Sequence, residues 1–169
     1  MLRMPKQQLR QILTLLFLLL YLPGHSQNIV LPDGEYLDTT TARNPACAKT
    51  PFVVYFNVDG KYPRSSATLV EEANLFLRGK NQRYTGSGYI TFRFLVDCAG
   101  YRQPKTEVLQ TDASYQKIHF RKELVNELYA FLKTLTSWQM ATLPNGASTN
   151  YYTYLTFKIS NGKVVAVIP

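Results

Sequence analysis

Histidine is nearly absent from this chain of 169 residues, which holds only His25 and His119. That excludes a multi-histidine metal centre and leaves any histidine-based catalytic triad resting on His119 alone. Cysteine is as scarce, and Cys47 and Cys98, far apart and with so little histidine, do not read as zinc ligands. Acidic residues number 11 against 19 basic ones, so paired carboxylates for hydrolysis are few. No apolar run reaches the roughly 20 residues of a membrane-spanning helix; the longest, residues 12–22, is interrupted only by Thr14. The loop closing on Gly86-Ser87-Gly88 lacks the lysine and hydroxyl spacing of a phosphate-binding loop. There is no internal repeat and no heptad run, and no cofactor is expected.

What is present begins with an export pattern. Arg3, Lys6 and Arg10 precede the apolar run, and Pro23-Gly24-His25-Ser26 ends it with small residues before Gln27. This reads as a cleavable signal peptide over residues 1–26. Its removal would leave 143 residues with a net charge of +5 in place of +8, destined for the periplasm or secretion. Cys47 and Cys98 both survive cleavage and could pair in an oxidising compartment, with two free thiols as the alternative. A bridge between them would contribute about 2 to 4 kcal/mol.

Residues 27–50 hold Pro32, Asp33-Gly34, Thr39-Thr40-Thr41 and Asn44-Pro45, and read as an extended arm. Residues 51–169 read as a single domain. A strand is expected over 52–58, stopped by Asp59-Gly60, and a short amphipathic helix over 68–78, with Thr68 and Glu71 as a capping box and Gly79 as its stop. The clearest strand runs from Tyr89 to Asp97, where Ile90, Phe92, Phe94 and Val96 alternate with Tyr89, Thr91, Arg93 and Leu95. A partner strand follows over 105–111, then the longest helix over 119–135. After Trp138 and a turn at Pro144-Asn145-Gly146 comes a strand in which Tyr152, Tyr154, Thr156 and Lys158 share one face, while Tyr151 falls on the other. Ser160-Asn161-Gly162 turns into a closing strand over 163–168. The expected fold class is α+β, a two-layer sandwich with a mostly antiparallel sheet and two amphipathic helices packed on one face.

From Gly88 onward the order of features resembles the C-terminal domain of TonB-like energy transducers. Gly88 through Asp97 supplies the glycine and the strand ending in valine-aspartate, Gly100 the turn, then come the helix with Leu128, Trp138, Pro144-Asn145-Gly146, and Tyr154 to Phe157 before the last strand. The resemblance covers roughly residues 84–160. The family's membrane anchor and proline-rich spacer have no counterpart here, so the resemblance implies a stand-alone member that keeps the fold without the energy coupling. It further implies recognition of an envelope protein by strand addition at a sheet edge. The closing strand, with Lys163, Val165 and Val167, is the expected contact, and the same edge could make a homodimer.

The leading expectation is therefore a secreted or periplasmic, non-catalytic protein-binding module. Tyr152 and Tyr154 could add a recognition surface, since tyrosine combines a large contact with a polar tip. A second class is binding of an anionic surface or a glycan through a basic patch of Arg78, Lys80 and Arg83; the export signal argues against nucleic acid. A small hydrolase is the third. His119 reads as a surface residue, and Glu123 and Glu127, four apart on a helix, read as solvent-facing salt links.

Overall fold

The computed structural model describes residues 35–168 apart from 42, 43, 59 and 81. The expected signal peptide and residues 27–34 of the arm lie outside the described residues.

The centre of the sheet is β3 (Gly88–Val96), the strand whose alternation is strictest in the sequence. Ile90, Phe92, Phe94 and Val96 are buried, as period-two patterning requires of a strand with one covered face. It pairs antiparallel with β4 (Arg102–Thr111) on one side and with β6 (Ser148–Ser160) on the other. Phe92 faces Val108 across one ladder and Leu155 across the other. A short strand, β5 (Ala141–Thr142), pairs with the start of β6. The hairpin partner β7 (Lys163–Ile168) lies along the second half of β6. The turn between them uses Asn161 at φ 48° and Gly162 at φ 74°, the left-handed pair a two-residue hairpin demands. Gly162 also sits against the preceding loop: a Cβ there would lie 2.0 Å from the Tyr84 carbonyl oxygen.

Two elements depart from expectation at the N-terminal side. The arm contributes a strand, β1 (Glu35–Asp38), paired antiparallel with the outer side of β4, so the domain begins before residue 51. Its four residues carry no alternation long enough to read; β4 recruits them. The strand expected over 52–58 is only β2 (Phe52–Val54), parallel to the first half of β6. It ends because Tyr55–Asn57 forms a 3-10 turn in which the Tyr55 carbonyl accepts from both Val58 N and Gly60 N. The path across the sheet is β1-β4-β3-β6-β2, with β7 sharing the last edge with β2.

Both helices cover one face. The first, α1 (Ser66–Arg78), buries Leu69, Ala73 and Leu77. It starts two residues before the expected position because Ser65, not Thr68, is the cap: Ser65 Oγ accepts from Thr68 N at 3.1 Å. The second, α2 (Lys122–Thr134), buries Leu124, Val125, Leu128, Tyr129, Phe131 and Leu132. It begins three residues later than expected because Phe120 N donates to the Gln110 side chain, which holds the approach to the helix in an extended path. Phe76 of α1 meets Phe131 of α2, which in turn meets Phe157 of β6. Trp138 is buried edge-on between Tyr62 and Phe94, with its indole N–H donating to Leu135 O.

Candidate functional site

With α1 and α2 on one side, the opposite face of the sheet carries no helical layer among the described residues. Strand register decides which side chains meet there. Tyr36 of β1 lies beside Glu107 of β4, Glu107 beside Arg93 of β3, and Arg93 beside Tyr154 of β6, making a row that crosses four strands. In the next row Leu95 lies beside Tyr152, and Tyr152 beside Val54 of β2. Above this face is a cavity of about 470 Å³ whose lining includes Tyr36, Phe52, Arg93, Lys105, Glu107, Tyr152 and Tyr154. The volume is within the usual range for a small-ligand site. Rings gather at both ends. Tyr36 stands at one end with Lys105 Nζ 4.8 Å from its centroid. At the other end Phe52 packs on Tyr152 and Tyr55 meets Tyr154 edge-on. Tyr36, Phe52 and Tyr152 are each about half exposed (53%, 45% and 46%), more than their apolar bulk warrants unless something else covers them.

One wall of the groove is the arm, through Thr41, Asn44, Cys47 and Ala48. The arm is fixed covalently by a disulfide between Cys47 and Cys98, with S–S 2.04 Å and a sequence separation of 51. It is fixed again by the buried amide of Asn150, whose Nδ2 donates to Cys47 O (3.1 Å) and Thr50 O (3.0 Å) while its Oδ1 accepts from Cys98 N (2.9 Å). Thr149 Oγ1 and Asn150 N both donate to Pro51 O. One residue pair on β6 thus fixes where β2 and the arm sit.

Among the described residues, the charges lining the groove are two cations, Arg93 and Lys105, and two carboxylates, Asp97 and Glu107. Arg93 and Glu107 form an ion pair in the floor. Asp97 is committed to its turn: Oδ1 accepts from Ala99 N (2.9 Å) and Tyr101 N (3.0 Å), and Oδ2 from the Gln103 amide (3.5 Å). At the end of β1, Asp38 is held below the ordinary carboxylate value by the Thr40 backbone and side chain and by the Tyr129 hydroxyl, which donate to it. Tyr151 points to the helical face; burial alone pushes its hydroxyl well up, and that hydroxyl donates to Gln139 O at 2.7 Å.

The other residues singled out in the sequence fall elsewhere. On β7, Val167 is 1% exposed, which removes its side chain as a contact. The strand's outer backbone groups are already taken by α1. Asn74 donates to Val164 O (2.7 Å) and accepts from Val164 N (3.1 Å), while Ser66 Oγ bonds both Val167 O and Val167 N. An added strand along β7 would have to displace those side chains, and of the three expected contacts only Lys163 and Val165 remain outward. In the basic patch all three residues are exposed, but Lys80 is drawn back to Glu127 (3.0 Å) and over the Phe76 ring (4.9 Å). Glu127 therefore pairs with Lys80, and Glu123 with Arg121 (3.5 Å). His119 is exposed, 3.6 Å from Glu35. The groove unites Tyr152 and Tyr154 with Tyr36, Phe52 and Arg93, none of which the sequence marks as site residues. Only the identical alternation of β3 and β6 hinted that Arg93 and Tyr154 could share a face.

Among the described residues no group of histidine, cysteine or carboxylate side chains is placed to hold a metal ion, and no helix is long and apolar enough to cross a membrane. Comparison of the chain with protein-family models, with curated proteins and with solved structures finds no significant match.

Proposed function

We propose that this protein is a non-catalytic binding module that works in the periplasm or after secretion, and that its ligand lies in the aromatic groove on the open sheet face. The observation that carries this reading is the convergence of half-exposed rings from β1, β2 and β6 on one cavity with a wall fixed by covalent and hydrogen bonds. A site held on rigid strands loses little freedom on binding. The disulfide fits an oxidising compartment. The succession of β3, turn, β4, α2, Trp138 and β6 is in keeping with the resemblance to TonB C-terminal domains, but here α1 occupies the β7 edge that strand addition would use. Binding rather than hydrolysis is favoured because both carboxylates are committed.

Oxidative footprinting tests the reading. The protein is exposed to hydroxyl radicals with and without cell-envelope and culture-supernatant fractions of its source. Protection should fall on Tyr36 and Tyr152, with Tyr101 and Met140, both 66% exposed outside the groove, unchanged. Protection confined to Lys163 and Val165 would favour strand addition instead, and no protection by any fraction would overturn the groove as a binding site.

A further inference from the structure

Resting on the groove as the binding site, we infer that its occupant is a neutral oligosaccharide of two or three flat, equatorially linked pyranose units. The first argument is direction. The row from Tyr36 to Tyr154 crosses the strands, and in its middle β4 and β3 are paired on both sides, β4 with β1 and β3, β3 with β4 and β6. An extended peptide laid there would bury its own backbone groups with no backbone to answer them. A sugar carries its polarity as hydroxyls, which side chains can meet.

The second argument is the alternation of surface types. An equatorially linked pyranose chain has apolar C–H faces and a rim of hydroxyls. The negative face of an aromatic ring attracts such C–H groups, and Tyr36, Phe52 and Tyr152 present rings at the two ends. Between them the floor is polar: the Arg93–Glu107 pair offers donors and acceptors side by side. The hydroxyls of Tyr36, Tyr152 and Tyr154 have no hydrogen-bond partner among the described residues, so they are available to a ligand.

Charge and length make the third. Among the described residues two cations and two carboxylates line the groove, a balanced lining that favours a neutral ligand over a polyanion. Three strand-to-strand steps from Tyr36 to Tyr154 span about 14 Å, room for two or three pyranose rings at about one strand spacing each.

The test uses defined probes in isothermal titration calorimetry: cellotetraose and chitotetraose as flat chains, maltotetraose as a coiled one. At least one flat chain should bind. Tyr36→Ala and Tyr152→Ala should each weaken it about tenfold or more, Tyr152→Phe should lose less, and Tyr101→Ala should change nothing. Affinity should hold when salt is raised to about 0.3 M. Failure of every flat chain to bind, equal binding of maltotetraose, or insensitivity to both alanine variants overturns the assignment. Footprinting separates this from the reading beneath it. Protection of Tyr36 and Tyr152 that survives periodate treatment of the fraction but not protease would keep the groove as a binding site and refute the sugar. Protection lost on periodate treatment supports it.

Discussion

Replacing Asn150 with alanine isolates the device that holds the groove wall. The side chain is 2% exposed and makes three hydrogen bonds of 2.9 to 3.1 Å, to Cys47 O, Thr50 O and Cys98 N. Truncation leaves all three backbone groups without that partner. The bond to Cys47 O is fully buried, so its loss costs about 2 kcal/mol, while the two at partly buried positions, where water can substitute, cost about 0.5 kcal/mol each. The sum is about 3 kcal/mol, or a fall of about 10 °C in Tm for a domain of this size. Because the disulfide still tethers the arm to the turn after β3, the loss reports the hydrogen bonds and not the tether. Asn150→Asp sharpens the argument: it keeps an acceptor for Cys98 N but sets a carboxylate against two carbonyl oxygens. At neutral pH it should be no better than the alanine variant, and it should recover part of its stability as the pH falls and the new carboxyl is protonated. Urea unfolding of oxidised protein measures both variants. A loss under about 1 kcal/mol for Asn150→Ala, or an Asn150→Asp protein as stable as the parent at neutral pH, would refute the clamp.

Other consequences follow from individual contacts. Ser66→Ala with Asn74→Ala should free the outer backbone of β7 at Val164 and Val167, cost about 1 to 2 kcal/mol, and promote edge-to-edge dimers; sedimentation velocity across a concentration series would detect them, and an unchanged monomer would show that the edge needs no such cover. Asp38 has a folded pKa below its ordinary value of 3.8, so it contributes stability above that pH, a contribution lost as the pH falls through the lower folded pKa. The Asp38→Asn variant should therefore melt below the parent near neutrality, with the gap closing in acid; a constant gap in a pH series of Tm values would contradict this. Gly162→Ala combines φ 74° with a Cβ placed 2.0 Å from Tyr84 O and should cost about 3 kcal/mol or more in chemical denaturation.

Much of the fold was legible in the sequence because two strands and two helices carry strong periodicity. The alternation from Tyr89 to Val96 and from Tyr151 to Ile159 assigns each side chain to a face before any pairing is known. The spacing of Leu124, Leu128, Phe131 and Leu132 does the same for α2. Asn161-Gly162 names its own turn. Cys47 and Cys98, as the only cysteines, had only one way to pair within the chain, and they do pair.

The candidate site was legible only in fragments. Tyr152 and Tyr154 read as neighbours on one face, but nothing local brings Tyr36, some 116 residues earlier, to the same cavity. Likewise, the sequence of β7 has the look of an open edge, and only packing shows Asn74 and Ser66 of α1 bonded along it. The division has one physical cause. Period and turn chemistry are properties of a few consecutive residues, so the sequence alone determines faces, hairpins and helices. Register across β1, β4, β3 and β6, and the identity of whatever covers an edge, depend on contacts between distant segments, so only the tertiary structure decided that this sheet has a closed edge and, opposite its two helices, an aromatic face.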